Sequence, residues 1–216
     1  MTAVQRRPLL GREFIEASRR RSFARAAAEL AHEFGVHGVT VTLICRTAHS
    51  ARNTFYEHFE NVNACLRYGV REGFEQLFGP LRETDADKDE WLLDVERAIA
   101  GIYGAAAAEP LLAEMVLIHS HGVALEPGDP DLDAGVSALA VLLARGRSER
   151  PQAGEPMPFA EDYLARVIVF LAALKVRQEE APALPAETRE MALLVGTSYL
   201  GIEETARILA GSDFSR

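Results

Sequence analysis

Residues 40–59 read T-V-T-L-I-C-R-T-A-H-S-A-R-N-T-F-Y-E-H-F. Two short helices around a tight turn account for this stretch. Thr40 stands as an N-cap, because a threonine hydroxyl can accept from an orphan amide of the first helical turn. The first helix then runs through Thr47, the turn spans His49 to Ala51, and the second helix runs from Arg52 to His58. Val41, Ile44, Phe55 and Phe59, with Leu66 further on, supply the apolar positions that lock the pair together. Arg52, Asn53, Thr54, Tyr56 and His58 retain polar atoms to offer outward. Arginine forms paired hydrogen bonds with guanine, and asparagine does so with adenine. The pattern predicts a helix-turn-helix whose second helix enters the major groove of duplex DNA.

Working outward, residues 18–34 read as a helix that precedes the pair. Phe23, Ala27, Leu30 and Phe34 recur on one face of a 3.6-residue period, and Gly35 ends it. Residues 1–17 form a basic leader with breaks at Pro8 and Gly11. After the pair, Asn61 caps a helix to Phe78 that Gly79-Pro80 stops. Further helices are expected over residues 87–108, 111–121 and 131–145, with a loop at E-P-G-D-P-D and a proline-containing linker at 148–158. Two apolar helices over 159–179 and 186–210 close the chain. No strand alternation is present, so the fold class is all-α, with about nine helices. Residues 1–60 are expected to be the DNA-binding domain and 61–216 a larger helical domain.

The two last helices carry apolar residues on nearly every face. An amphipathic surface helix needs one apolar stripe, so each of these must bury two. One face packs on the chain's own core, and the other is expected to meet a second copy in a homodimer.

Charge agrees with this division. The whole chain carries −9, yet residues 1–60 hold nine arginines against six glutamates, a balance of +3 that leaves −12 for the rest. A body turned away from DNA can be acidic, because screening fades its field beyond about 8 Å. At 216 residues and 48% hydrophobic content the chain can bury a real core. No apolar run reaches the roughly 18 residues of a membrane span, and the N-terminal arginines precede no signal-peptide core. No membrane association is expected, and the expected compartment is the cytoplasm. Cys45 and Cys65 make no metal spacing and no disulfide framework.

The stretch from Phe23 to Leu66 resembles the TetR family of bacterial transcriptional repressors. In that family a first helix ends at a glycine, here Gly35, and a T-V-x-x-I-A segment follows, here Thr40 to Cys45. The turn and second helix read A-G-V-S-x-x-T-F-Y-x-H-F, here Ala48 to Phe59. The T-F-Y-x-H-F run is the specific part. The resemblance implies a larger helical portion for ligand binding and dimerisation. By position it implies that Thr40 caps its helix and touches phosphate, and that Thr42 belongs with it among the DNA-binding residues. Arg52 and Asn53 face base edges, Thr54 and Tyr56 hold phosphate or base, and His58 lies near the backbone. Three positions depart from the pattern: His49 replaces the turn glycine, Ala51 a capping serine, and Val62 a phosphate-binding lysine. Ser50 is the fallback cap, and Arg19, Arg20 and Arg21 are placed to compensate by reaching phosphates or the neighbouring groove.

The function implied is a ligand-responsive repressor that a small, largely apolar molecule releases from a double-stranded DNA operator. Trp91, Tyr103, Met115 and His119 are the candidate pocket residues, and Gly101 and Gly104 within one helix suggest close packing or room there. His119-Ser120-His121 places two histidines at i and i+2, which do not share a helix face, so no metal site is expected. No cofactor is expected either. No nucleophile–base spacing or phosphate-cradling glycine loop is present, which argues against an enzyme. The alternative reading is a helical interaction or ligand-binding protein with weakened or lost DNA binding.

Overall fold

The computed structural model describes residues 7–82, 91–149 and 159–211. Among these residues the chain forms ten α-helices and no strand. The first, α1 (Arg7–Phe34), begins well before the expected start at residue 18. Pro8 falls in its first turn, where a missing N–H leaves nothing unpaired. Gly11 costs about 1 kcal/mol in a helix but does not end one. Phe23, Ala27, Leu30 and Ala31 are buried as the period requires. Phe34 is not: at 52% exposure it sits at the frayed end, beside Gly35 with φ 71°.

Helix α2 (Val41–Thr47) is capped as expected, its Leu43 N–H donating to Thr40 Oγ1 at 3.3 Å. Helix α3 (Arg52–His58) follows the turn. Helix α4 (Val62–Phe78) is capped by Asn61, whose Oδ1 accepts from Ala64 N–H at 2.9 Å.

Two apolar cores organise the chain, and α4 enters both. Its Cys65, Leu66 and Val70 join Phe23, Ala27, Ile44, Phe55 and Phe59 in the first. Its Phe74, Leu77 and Phe78 join the second, which is built on α5 (Trp91–Ala108). Residues 83–90, where the helix over 87–108 was expected to begin, lie outside the described residues, as does the linker expected at 148–158 from residue 150 onward.

The single helix expected over 111–121 is three pieces. Helix α6 (Pro110–Glu114) runs into a π turn (Met115–His119) and then a 3-10 turn (Ser120–Gly122). A Cβ at Gly73 of α4 would stand 2.4 Å from Leu112 O and 2.8 Å from Val116 Cγ2, so α6 crosses α4 backbone to backbone.

Helices α7 (Leu132–Ala144), α8 (Ala160–Arg177) and α9 (Leu184–Leu200) complete the second core. The last expected helix, 186–210, is broken. Gly201 adopts φ 80°, and α10 (Ile202–Gly211) folds back onto α9 with fully buried Thr205 against Gly196. Among the described residues no single helix is long and apolar enough to cross a membrane.

Two glycines in neighbouring helices separate by surroundings. Gly73 has no space for a methyl group, whereas Gly104 of α5 has nothing within 4 Å. Gly73→Ala is expected to lower stability by roughly 1–3 kcal/mol through overpacking. Gly104→Ala is expected to raise it by up to about 1 kcal/mol through helix propensity. Urea denaturation of the two variants checks both signs.

Candidate nucleic-acid interface

A helix of seven residues is too short to persist alone, so α3 must be held by its neighbours. Phe55 is fully buried and meets Phe23 of α1 edge-on, with ring centroids 5.4 Å apart. Phe59 follows, 5.6 Å from Phe55 and 5.7 Å from Tyr68 of α4. This aromatic bed takes the apolar edge of α3. Arg52, Asn53 and Tyr56 are all exposed, with Tyr56 at 51%. Thr54 is half-buried. His58 is half-buried too, its ring 6.1 Å from Phe23 and its Nε2 buried without a hydrogen-bond partner. The major groove, about 12 Å wide, accepts such a rod.

Helix α2 contributes Thr40 and Thr42, both exposed. It also presents Arg46, one turn beyond Thr42 on the same exposed face, which sequence reasoning did not single out. The i, i+4 spacing of Thr42 and Arg46 was the available signal.

The turn explains two of the departures from the family pattern. His49 adopts φ 48°, the left-handed conformation for which glycine is suited. Its exposed ring is carried at a backbone cost of about 1–2 kcal/mol. Ala51 occupies the N-cap of α3 and provides no acceptor, and Ser50 does not replace it as a cap.

The three arginines of α1 are not equivalent. Arg19 is exposed. The Arg20 guanidinium lies over the rings of Phe59 and Tyr68, 5.2 and 4.8 Å from their centroids. Arg21 Nε donates to Glu72 Oε2 of α4 at 2.7 Å, a bond that holds its pKa above the ordinary value. Arg20 and Arg21 thus fasten α1 to α4 in this structure. Beside them a groove of about 380 Å³ is lined by Glu13, Glu16, Glu57, His58 and Tyr68, with Arg20 as its one cation. That edge repels phosphate, while Arg46 and Arg52 mark the edge that attracts it.

Cys45 and Cys65 are free and buried, and burial pushes both thiols up, Cys65 to about 12. Neither offers a thiolate for redox chemistry at neutral pH.

The four candidate pocket residues are not brought together. Trp91 and Tyr103 lie in the second core, where Trp91 Nε1 donates to Leu142 O at 2.9 Å and Tyr103 OH to Ile168 O at 3.3 Å. Met115 is in the first core, and half-buried His119 bonds Glu114. None of them lines the groove beside α3 or a second groove of about 280 Å³ between α1 and α4. Large side chains at helical spacing went to the cores, where burial stabilises them most. Among the described residues no group of three or more histidine, cysteine, aspartate or glutamate side chains is placed to hold a metal ion.

Residues 24–68 match the family described as bacterial regulatory proteins, tetR family. The helix-turn-helix unit is similar to that of the tetR family. The match covers α1 from Ala24 through α3 and into α4 as far as Tyr68. Over most of the chain the fold is similar to that of solved regulators. The fatty acid degradation regulator FadR from Bacillus halodurans is 18% identical with a TM-score of 0.65, the likeness covering 82% of this chain and 93% of that one. The transcriptional regulator FadR from Bacillus subtilis, solved in complex with stearoyl-CoA, is 19% identical with a TM-score of 0.62, covering 84% and 98%. The dihydroxyacetone kinase operon activator DhaS is 15% identical with a TM-score of 0.51, covering 84% and 96%. No curated protein is similar enough in sequence to match the chain.

The two departures in the turn predict how stability responds. Ala51→Ser supplies a cap and is expected to add about 1 kcal/mol. His49→Gly relieves the left-handed backbone and is expected to add up to about 1 kcal/mol. Thermal unfolding at fixed pH, with helix content followed by circular dichroism, checks both.

Proposed function

We propose that this chain is a homodimeric transcriptional regulator that reads DNA with α3 and answers to a small apolar molecule. The observation that carries the reading is the division of α3: Phe55 sealed against α1, with Arg52, Asn53 and Tyr56 presented outward. Residues 1–60 serve as the reading head and residues 61–216 as the effector and pairing body. Arg52 and Asn53 read base edges. Tyr56, Thr54, Thr40, Thr42 and Arg46 hold the sugar-phosphate backbone, with Arg19 alongside. His58 positions the end of α3 against α1, because its ring is half-buried there.

The pairing surface is supported by α8. Tyr163, Val167, Phe170 and Leu174 fall on one face at i, i+4, i+7 and i+11, and all four are exposed, Tyr163 at 64% and Phe170 at 67%. Leu194 of α9 is exposed as well. A row of large apolar side chains in water is stabilised by covering it, and a second copy covers it by two-fold symmetry. Two heads then meet successive major grooves about 34 Å apart.

The regulator acts as a repressor whose effector favours a head spacing that no longer fits the operator. A differential affinity of about 1–3 kcal/mol lowers DNA binding by roughly 5- to 150-fold. The stearoyl-CoA bound by the Bacillus subtilis regulator makes acyl thioesters the first effector class to assay. The engagement of Arg20 and Arg21 with α4 favours the rival reading, a helical ligand-binding protein with weakened DNA affinity. A gel shift on the DNA upstream of the chain's own gene separates the two.

Arg52→Ala is expected to weaken operator binding by about 1–3 kcal/mol and to relax specificity at one base pair. Tyr56→Ala is expected to weaken it without changing specificity, and affinity should fall steeply with salt. Fluorescence anisotropy against operator and mutated operators measures all three, and unchanged affinity in both variants refutes α3 as the reading helix.

Phe170→Glu is expected to convert the dimer to a monomer with helix content retained. Sedimentation velocity decides it, and a dimer that survives the substitution places the pairing surface elsewhere.

A further inference from the structure

Helix α2 is stopped by a pair of backbone bonds. The Ser50 N–H donates to Cys45 O at 2.9 Å, the His49 N–H donates to Arg46 O at 3.2 Å, and His49 takes φ 48°. Glycine is the usual occupant of that left-handed position, because a Cβ is penalised there. The same stop ends α8 at Glu179, with φ 60°, so the conformation alone marks no site. The place of His49 in the chain is what sets it apart. It stands three residues before Arg52, in the turn that leads into α3. A recognition helix brings its N-terminal residues to base edges. The turn before it therefore lies at the lip of the major groove, where the phosphates run.

The basic side chains of α1 are largely committed within the protein. Arg20 lies over Phe59 and Tyr68, Arg21 pairs with Glu72, Arg25 with Glu109, and His32 with Glu114. Around the turn the opposite holds. Arg46, His49 and Arg52 are exposed, and none of them makes an ion pair among the described residues. The His49 ring has no hydrogen-bond partner among those residues either, so its donor is free. No acidic residue occurs from Gly35 to Tyr56, so nothing local in sequence repels an anion from it. The two backbone bonds also fix the direction in which its Cβ leaves the turn. A donor held in this way loses little freedom when it binds.

We infer that His49 is a phosphate contact of the reading head, its imidazole N–H donating to a backbone oxygen of the DNA at the edge of the groove that α3 enters. It adds to the DNA-binding residues assigned above, and it rests on the same reading of α3. A neutral imidazole already carries one N–H, so the contact needs no change of protonation. Anchored at the turn, it sets how deeply Arg52 and Asn53 are inserted, because phosphate contacts fix register and orientation. The strained backbone at His49 then has a use. Glycine would relieve the turn but would bring no donor, and strain of this kind persists where function requires the side chain.

The test uses the full-length chain and a DNA duplex that it selects from a random-sequence pool. His49→Gly removes both ring and strain, whereas His49→Ala removes the ring and keeps the Cβ. Each is expected to bind the duplex about tenfold more weakly than the natural chain, the loss of one hydrogen bond to a charged group. The factor should be the same on duplexes with altered bases, since a phosphate contact carries no sequence information. His49→Gly should at the same time unfold at a higher temperature, so that stability and affinity move in opposite directions. A scan of duplexes with single methylphosphonates, each replacing one charged backbone oxygen by a methyl group, locates the contact. At one position the natural chain should be weakened and both variants should not. Natural affinity in either variant, a loss confined to His49→Gly, or identical scans for all three proteins overturns the assignment of His49. Failure of the α3 reading looks different: no duplex is selected, or Arg52→Ala binds as tightly as the natural chain.

Discussion

The burial of Phe55 against Phe23 is the constraint on which the reading surface depends. Helix α3 has seven residues and no side-chain cap, and its entry turn is strained at His49. Its own hydrogen bonds cannot hold it in water. An edge-on contact to Phe23 and a tilted one to Phe59, continued through Tyr68, fix both its position and its rotation. Rotation is what matters for recognition. Turning the helix by one residue, about 100°, would bring Phe55 to the surface and redirect Arg52 and Tyr56. A buried phenylalanine, worth roughly 1.5–3 kcal/mol, is thus what aims the polar side chains.

That aromatic bed is not closed by the head alone. Leu112 and Met115 from the body reach into the same core, and α4 runs from one core into the other. The polar contacts of Arg21, Arg25 and His32 lie along the same junction. A change in the body that displaces α6 or the π turn is therefore felt in the packing under α3. Interiors are close-packed, so such a displacement moves neighbours instead of being absorbed. The close crossing of α4 and α6 at Gly73 leaves little slack there. Coupling between the two ends of the chain follows from shared packing without any separate relay.

Much of the fold was legible in local chemistry. The Thr40 cap, the glycine stop at Gly35, the Asn61 cap and the apolar period of Phe23, Ala27 and Leu30 each act over a few residues, and each appears where the sequence predicts it. The N-terminal extent of α1 was not legible, because Pro8 and Gly11 read as breaks although both are tolerated near a helix start. The π turn and the break at Gly201 were hidden for a different reason. The π turn lies beside the contact of Gly73 with Leu112, from a distant part of the chain, whereas the break at Gly201 lets Thr205 pack back on Gly196. The exposed polar edge of α3 was readable from the spacing around Phe55. The position of Trp91, Tyr103 and Met115 was not, because an apolar residue at helical spacing looks the same whether it lines a pocket or fills a core.

The sequence by itself therefore determined the helix class, the helix-turn-helix and the residues that α3 turns outward, since caps, turns and periodicity are local and carry their own physical signatures. Only the tertiary structure decided that Arg20 and Arg21 serve α4, that the pocket candidates divide between two cores, and that His32 meets His119 across Glu114. Those partners lie dozens of residues apart. Which of many acids an arginine or histidine meets is settled by how helices cross, and crossing is a property of the packed whole.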